Sequence, residues 1–253
     1  MPAPFPHADV QKVLDAFVDE EGRVEYVSLK WADEPLRRYL AMAAKVAPKD
    51  GADDAHFPDA DHRLAYWINV YNAAVLAAVC RFYPIQRPDE VRGLFTRVTF
   101  RIGGSPMSLD GIEAAMRRQF PYSWRAGFAL CRATTGSPKL ADSVYPPKRL
   151  AHRLEEQFSK YLETDEAAMP DAERKVLKLS PVFEKYAEPM RAEVRQVLGI
   201  VDPSLRDVLR RHADARLSHR VALGEGYTIR FEADGKLNDR DYDQLVWTSK
   251  DPK

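Results

Sequence analysis

Cysteine is scarce: only Cys80 and Cys131 occur in 253 residues. Two thiols build no disulfide framework, and no Cys-x-x-Cys pair or Cys/His cluster has zinc-ligand spacing, so neither metal nor cofactor is expected. Cys80 lies in an apolar run and reads as a small buried hydrophobe. An excess of either charge is also missing, with 38 Lys+Arg against 38 Asp+Glu. That balance argues against nucleic acid as a partner, because phosphate binding calls for surplus cations. The P-loop, GxGxxG, GxSxG and HExxH motifs are all absent. Long hydrophobic runs are nearly absent too. Leu64 to Cys80 carries no charge but barely reaches the ~17 residues of a membrane span. Asn69 and Asn72 interrupt it and Arg63 and Arg81 bracket it, so a buried core helix is expected and no transmembrane segment. The start, Met1 to His7, lacks the basic and apolar regions of a signal peptide. A cytoplasmic location is expected, or an exported one where a leader has been removed.

What is present is 45% hydrophobic and 30% charged, a globular composition. The length fits one large domain or two small ones, and no long linker divides it, so a single domain over 1–253 is expected. Val10, Val13, Leu14 and Phe17 follow helical spacing. Gly22 to Val27 reads as a turn and a short strand. Asp33 and Pro35 look like a helix start, followed by a stripe of Leu36, Tyr39, Leu40 and Ala43. Pro48 to Pro58 is turn-rich. The central helix starts near Asp61, with Leu64, Ile68, Tyr71, Val75, Val79 and Phe82 on one face; Pro84 and Pro88 end it. Val98, Phe100 and Ile102 alternate as a strand, and Gly103-Gly104 turns it into a hairpin through Met107. A helix follows from Ser108 or Asp110 to about Arg118. Phe128 to Cys131 is a strand candidate, Arg132 to Pro138 a loop, and Leu150, Leu154, Phe158 and Tyr161 a further helix. The C-terminal third is charged and mostly helical, with helix starts at Ser180-Pro181 and Asp202-Pro203. Tyr227, Ile229 and Phe231 alternate as a strand, turned at Ala233 to Gly235. Helices mixed irregularly with short strands give an α+β fold.

Three features are candidates for chemistry. Asn69 and Asn72 share one side of an apolar helix. Buried amides need partners, so they either orient a reacting group or a ligand, or tie a loop to the helix. Asp110 and Glu113 sit at a helix start, where carboxylates are stabilised by the dipole with or without a site. In the Arg132 to Pro138 loop, small residues free backbone N–H groups to face a ligand, and Arg132 is suited to a carboxylate or phosphate. Ser137 is a nucleophile only with a base in reach. His152 is the nearest histidine downstream; His56 and His62 precede the long helix.

The order of these segments resembles the family known as domain of unknown function 547. Tyr66-Trp67-Ile68-Asn69-Val70-Tyr71-Asn72-Ala73 is similar to its aromatic-Ile-Asn-x-Tyr-Asn-Ala helix. Gly22 to Tyr26 resembles an upstream strand, and Ser108-Leu109-Asp110-Gly111-Ile112-Glu113 its Ser-Leu-Asp-x-Ile-Glu segment. Phe128 to Leu130 through Gly136-Ser137-Pro138 is similar to the next strand and loop. Leu179-Ser180, Phe183, Tyr186 and Asp234 to Asn238 resemble the later elements. The likeness spans about 22–238. It implies a papain- or transglutaminase-like arrangement, helices on a small mostly antiparallel sheet, with a Cys before the loop proline and a His directly after the Ile-Glu. Here Ser137 stands where that Cys is expected and Ala114 where that His is expected. Arg132 stands in place of a second loop cysteine, with Cys131 adjacent.

Loss of thiol and base together removes the papain-type mechanism. The first expectation is therefore a degenerate, non-catalytic relative, a pseudoenzyme. It would bind a peptide-like or acidic small ligand, or a protein partner, through Arg132, Asn69, Asn72, Thr134, Thr135 and Gly136. The alternative is a serine-type hydrolase or acyl transferase with Ser137 as nucleophile and Glu113 or Asp110 orienting a histidine. A third reading, an interaction module built on the Arg191 to Arg220 helices, is met by their mixed charges, which make an ordinary solvated face.

Overall fold

The computed structural model describes residues 3–49 and 53–242. In chain order the helices are α1 (Ala8–Phe17), α2 (Tyr26–Trp31), α3 (Glu34–Ala43), α4 (Ala60–Phe82), α5 (Leu109–Gln119), α6 (Leu150–Leu162), α7 (Pro181–Lys185), α8 (Ala187–Leu198), α9 (Leu205–His212) and α10 (Ala215–Leu223). The strands are β1 (Thr99–Ile102), β2 (Ser105–Ser108), β3 (Ala168–Asp171), β4 (Val176–Leu179) and β5 (Thr228–Phe231). The fold is α+β, as expected.

The first apolar cluster forms around α4. Asp59 caps this helix by accepting the His62 N–H at 2.8 Å. Every residue from Leu64 to Leu76 is buried, so the helix needs no polar face. α3 packs on it from one side and α5 from another. No described helix is long and apolar enough to cross a membrane. β1 and β2 pair antiparallel across Gly103 and Gly104, whose φ of +55° and +88° suit a tight hairpin turn. Both glycine N–H groups donate to the end of α3, at Ala43 and Ala44.

The second cluster gathers Trp124, Phe128, Phe158, Phe183 and Tyr186 with apolar residues of α8, α9 and α10. Its sheet has the order β3-β4-β5, antiparallel and then parallel. α6 belongs to both clusters: Leu150 and Leu154 lie in the first, Phe158, Tyr161 and Leu162 in the second.

Several expected elements differ. Gly22 to Val27 forms no strand: Val24 makes single bridges to Val18 and Asp239, and α2 begins at Tyr26. The left-handed turn at Gly22 returns the chain after too few residues for a ladder. Phe128 to Cys131 also forms no strand; Trp124–Ala129 is a 3₁₀ segment. Its apolarity reflects burial on all sides, which a short helix satisfies as well as a strand. The helix expected at Asp202-Pro203 starts later, at Leu205, where Ser204 and Asp207 form a reciprocal capping box. The β3–β4 hairpin was not anticipated. Pro170 interrupts its pattern and is tolerated because β3 is an edge strand.

Candidate functional site

The loop that follows the 3₁₀ segment lies where the two clusters meet, and α4 holds it there. Asn72 Nδ2 donates to the Ala129 carbonyl at 2.9 Å, and its Oδ1 accepts the Cys131 N–H at 3.0 Å. One turn earlier, Asn69 does the same to a single residue: it donates to Tyr145 O and accepts from Tyr145 N–H, both at 2.9 Å. Each amide thus replaces a missing strand partner for buried backbone. Both are buried, and neither lines the cleft. The structure places these two expected ligand-binding residues behind the loop, as its clamps.

The segment 234–240 completes the support. Thr135 N–H donates to Lys236 O, Gly136 N–H to Asp234 O and Asn238 N–H to Ala133 O, at 2.9–3.1 Å. A Cβ on Gly136 would stand 2.3 Å from Asp234 N, so only glycine fits there. Ala133 sits at φ +56°, a left-handed conformation that an L residue adopts at a cost of about 1–2 kcal/mol. That kink turns Arg132 toward the cleft while Cys131 stays inside.

Two cavities open against the loop, of about 450 Å³ and 590 Å³. The smaller is walled by Tyr71, Gly127, Leu130, Tyr186 and Glu113; the larger by Val91, Leu94, Phe95, Asp110, Thr134, Gly136 and Ser137. Arg132, Pro138, Pro181 and Val182 line both. Thr135 lies outside both: it is exposed, and its hydroxyl donates to Asp234 at 3.0 Å.

Arg132 is the charge at the junction. Its guanidinium carbon lies 4.1 Å from the centre of the Phe95 ring. It donates to Tyr71 Oη and Asp110 Oδ1 at 3.5 Å and to Glu113 Oε2 at 3.4 Å. These contacts exceed the ~2.7–2.9 Å of strong charge-assisted bonds. Burial lowers its pKa, but Tyr71, Glu113 and Asp110 outweigh it and hold the guanidinium charged. Glu113 is 3% exposed and has closer partners elsewhere: Lys185 Nζ at 2.5 Å and the Tyr186 hydroxyl at 2.9 Å. Desolvation and Glu113 together raise the Tyr186 phenol far above its ordinary range, so it remains a donor. The Tyr186 ring lies flat against Gly127, where a Cβ would meet it at 2.3 Å.

Ser137 is buried, and its hydroxyl answers to the backbone. It donates to Thr134 O at 2.8 Å and accepts the Arg132 N–H at 3.3 Å. No imidazole or carboxylate of the described residues hydrogen-bonds with it. The histidines lie elsewhere: His7 against Tyr39, His62 on Asp59, His56 beside Phe57, and His212 between Trp124 and Phe158. His152 and His219 are exposed on α6 and α10. Ala114 does not face Ser137 across the cleft; it is exposed on α5 and lines neither cavity, because the inward positions of that turn are Ile112 and Glu113. Cys131 is fully enclosed, and burial pushes its thiol up to about 11, which leaves it un-ionised at neutral pH.

Arg132, Glu113, Asp110, Ser137, Thr134 and Gly136 are thus brought together around the two cavities. Phe95, Lys185, Tyr186 and Tyr71 were not anticipated as site residues. Tyr71 and Tyr186 stand in segments already singled out by their likeness to the family; nothing local to Phe95 or Lys185 marks them. Among the described residues no group of three or more His, Cys, Asp or Glu side chains is placed to hold a metal ion.

Fold and site together define an α+β protein with a two-lobed cleft centred on one arginine. Residues 56–162 match the model of the family described as Protein of unknown function, DUF547. The match begins just before α4 and ends with α6, a narrower span than the expected 22–238. No curated protein and no solved structure gives a significant match to the chain.

Proposed function

We propose that the cleft binds an acidic or peptide-like ligand and carries out no covalent chemistry on it. The observation that carries this reading is the state of Arg132. It is a charged donor facing two mainly apolar cavities, and its polar contacts among the described residues are long, at 3.4–3.5 Å. Glu113, its nominal partner, is already satisfied by Lys185 and Tyr186. An incoming carboxylate competes chiefly with Asp110, which is 36% exposed and free to turn to water, while Glu113 stays beside Arg132 at 3.4 Å. The cavity sizes fall within the ~300–1,000 Å³ of small-molecule sites, and apolar walls with few convergent polar groups are their usual make-up.

Ser137 and Cys131 support the non-catalytic side of the proposal. A serine hydroxyl attacks only when a base accepts its proton. Here the hydroxyl is bonded to a carbonyl and an amide, and the only thiol nearby is un-ionised. The arrangement suits a hydrolase-like cleft that has become a binding site. The test pairs N-acetylglutamate α-amide with its neutral counterpart N-acetylglutaminamide in an NMR titration of the arginine Nε–H signals, alongside turnover of p-nitrophenyl acetate. The charged compound should shift the Arg132 signal, the neutral one should not, and ester turnover should equal that of buffer. Turnover that Ser137→Ala abolishes would refute the non-catalytic reading and return the protein to the serine hydrolases.

A further inference from the structure

Arg132 does not lie at the end of a cavity. It lies between two, and the walls it shares with them, Pro138, Pro181 and Val182, are apolar. A ligand whose anion is terminal, such as a fatty acid or a peptide C-terminus, has its apolar part on one side of the charge only. Bound to Arg132, it would leave the other lobe filled with poorly bonded water. A ligand with apolar groups on both sides of its carboxylate fills both lobes. Building on the reading above, we infer that the cleft recognises an internal acidic residue of an extended peptide, flanked on each side by an apolar residue.

The recognition follows from the geometry. The peptide's Asp or Glu carboxylate replaces Asp110 on Arg132, forming the bidentate pair for which a guanidinium is shaped. The apolar residue on one side enters the smaller lobe beside Tyr71 and Tyr186. The apolar residue on the other side enters the larger lobe beside Leu94 and Phe95. Lys185, the cation besides Arg132 that lines the smaller lobe, is already held by Glu113, so a second acidic residue finds no free partner there. The order apolar-acidic-apolar is thereby favoured over a run of acids.

The experiment is fluorescence polarisation with end-blocked, fluorescein-labelled peptides at low and high salt. The three probes, each with the dye in place of acetyl on its first glycine, are Gly-Leu-Glu-Phe-Gly-amide, its Gln analogue, and Gly-Leu-Phe with a free carboxylate; decanoate serves as an unlabelled competitor. The blocked Glu peptide should bind at least ten-fold more tightly than either of the other peptides, with decanoate a poor competitor. Two variants check the site. Arg132→Gln should make the Glu and Gln peptides equal. Val182→Trp, which leaves every charge in place and blocks the shared wall, should weaken the Glu peptide at least ten-fold while thermal melting shows a folded protein. If the free-carboxylate peptide or decanoate binds best and depends on Arg132, the internal-acid inference falls and the anion-binding cleft survives. If no probe depends on Arg132 or Val182, both fall.

Discussion

The clamp made by Asn72 yields a quantitative prediction. Replacing Asn72 with Leu keeps the volume and removes both hydrogen bonds, at 2.9 and 3.0 Å, that hold Ala129 O and Cys131 N–H. Neither backbone group has water at hand in this buried position. Each stranded group costs about 1–3 kcal/mol, so the variant should lose roughly 2–6 kcal/mol, less a small gain from the added apolar surface. For a chain of this size about 2–4 °C accompanies each kcal/mol, so a central loss of about 3 kcal/mol lowers Tm by roughly 6–12 °C. Asn72→Asp sharpens the test. It keeps an acceptor for Cys131 N–H and sets a carboxylate against the Ala129 carbonyl. Burial favours the protonated acid, so the folded state binds more protons than the unfolded one, and the Asp variant should regain stability as pH falls. Calorimetry or fluorescence-monitored melting from pH 7 to pH 4.5 measures both. An Asn72→Leu Tm within about 2 °C of the parent, corresponding to under ~1 kcal/mol, would refute the argument; so would an Asp variant that becomes less stable, relative to the parent, on acidification.

Other expectations follow from single contacts. Burial holds Cys131 near 11 and Cys80 near 12, so iodoacetamide at pH 8 should label neither thiol in the native protein and both in urea; rapid native labelling of Cys131 would show a reactive thiol. Gly127→Ala drives a Cβ into the Tyr186 ring, so peptide binding should weaken several-fold and Tyr186 should lose its bond to Glu113, which the phenol's ultraviolet-difference titration reads out. His7 is lowered to about 4, chiefly by burial and then by His62, so it binds fewer protons folded than unfolded. Stability should therefore decline as pH falls from about 6.5 toward 4, and His7→Phe should flatten that decline in a pH series of melts. Asp239 is raised by burial, which outweighs the Asp241 N–H and the Tyr83 hydroxyl that favour its charged form. Its folded state binds more protons, so Asp239→Asn should raise Tm at pH 7, with the gain shrinking as pH falls toward the ordinary carboxylate range.

The helix at the centre of the fold was readable because its periodicity and lack of charge agree, and the β1–β2 hairpin because Gly103-Gly104 can do little else. The Arg132 to Pro138 loop was readable as a candidate because small residues beside an arginine suit an anion, although the same composition also makes an ordinary turn. The role of Asn69 and Asn72 was harder. An amide on an apolar helix serves a ligand or a backbone equally well, and only the path of the chain from 129 to 145 decides between them. Phe95 and Lys185 were invisible for a different reason. Phe95 reaches Arg132 from nearly forty residues before it and Lys185 reaches Glu113 from about seventy residues after it, and no local pattern encodes either meeting. The position of Ala114 shows the limit of a motif read without rotation: one residue along a helix turns a side chain by about 100°, which here separates a cleft wall from open solvent.

The sharing of α6 between two apolar clusters has a consequence for how the protein comes apart. Leu150 and Leu154 cannot leave the first cluster without straining Phe158, Tyr161 and Leu162 in the second. The two halves are therefore coupled as one cooperative unit, and amides along α6 should exchange only when both open together. A cleft built at that seam is present in molecules that are whole and missing from any that are half-unfolded. A ligand bound in the cleft would then oppose the opening of both clusters, and would slow hydrogen exchange far from any residue it touches.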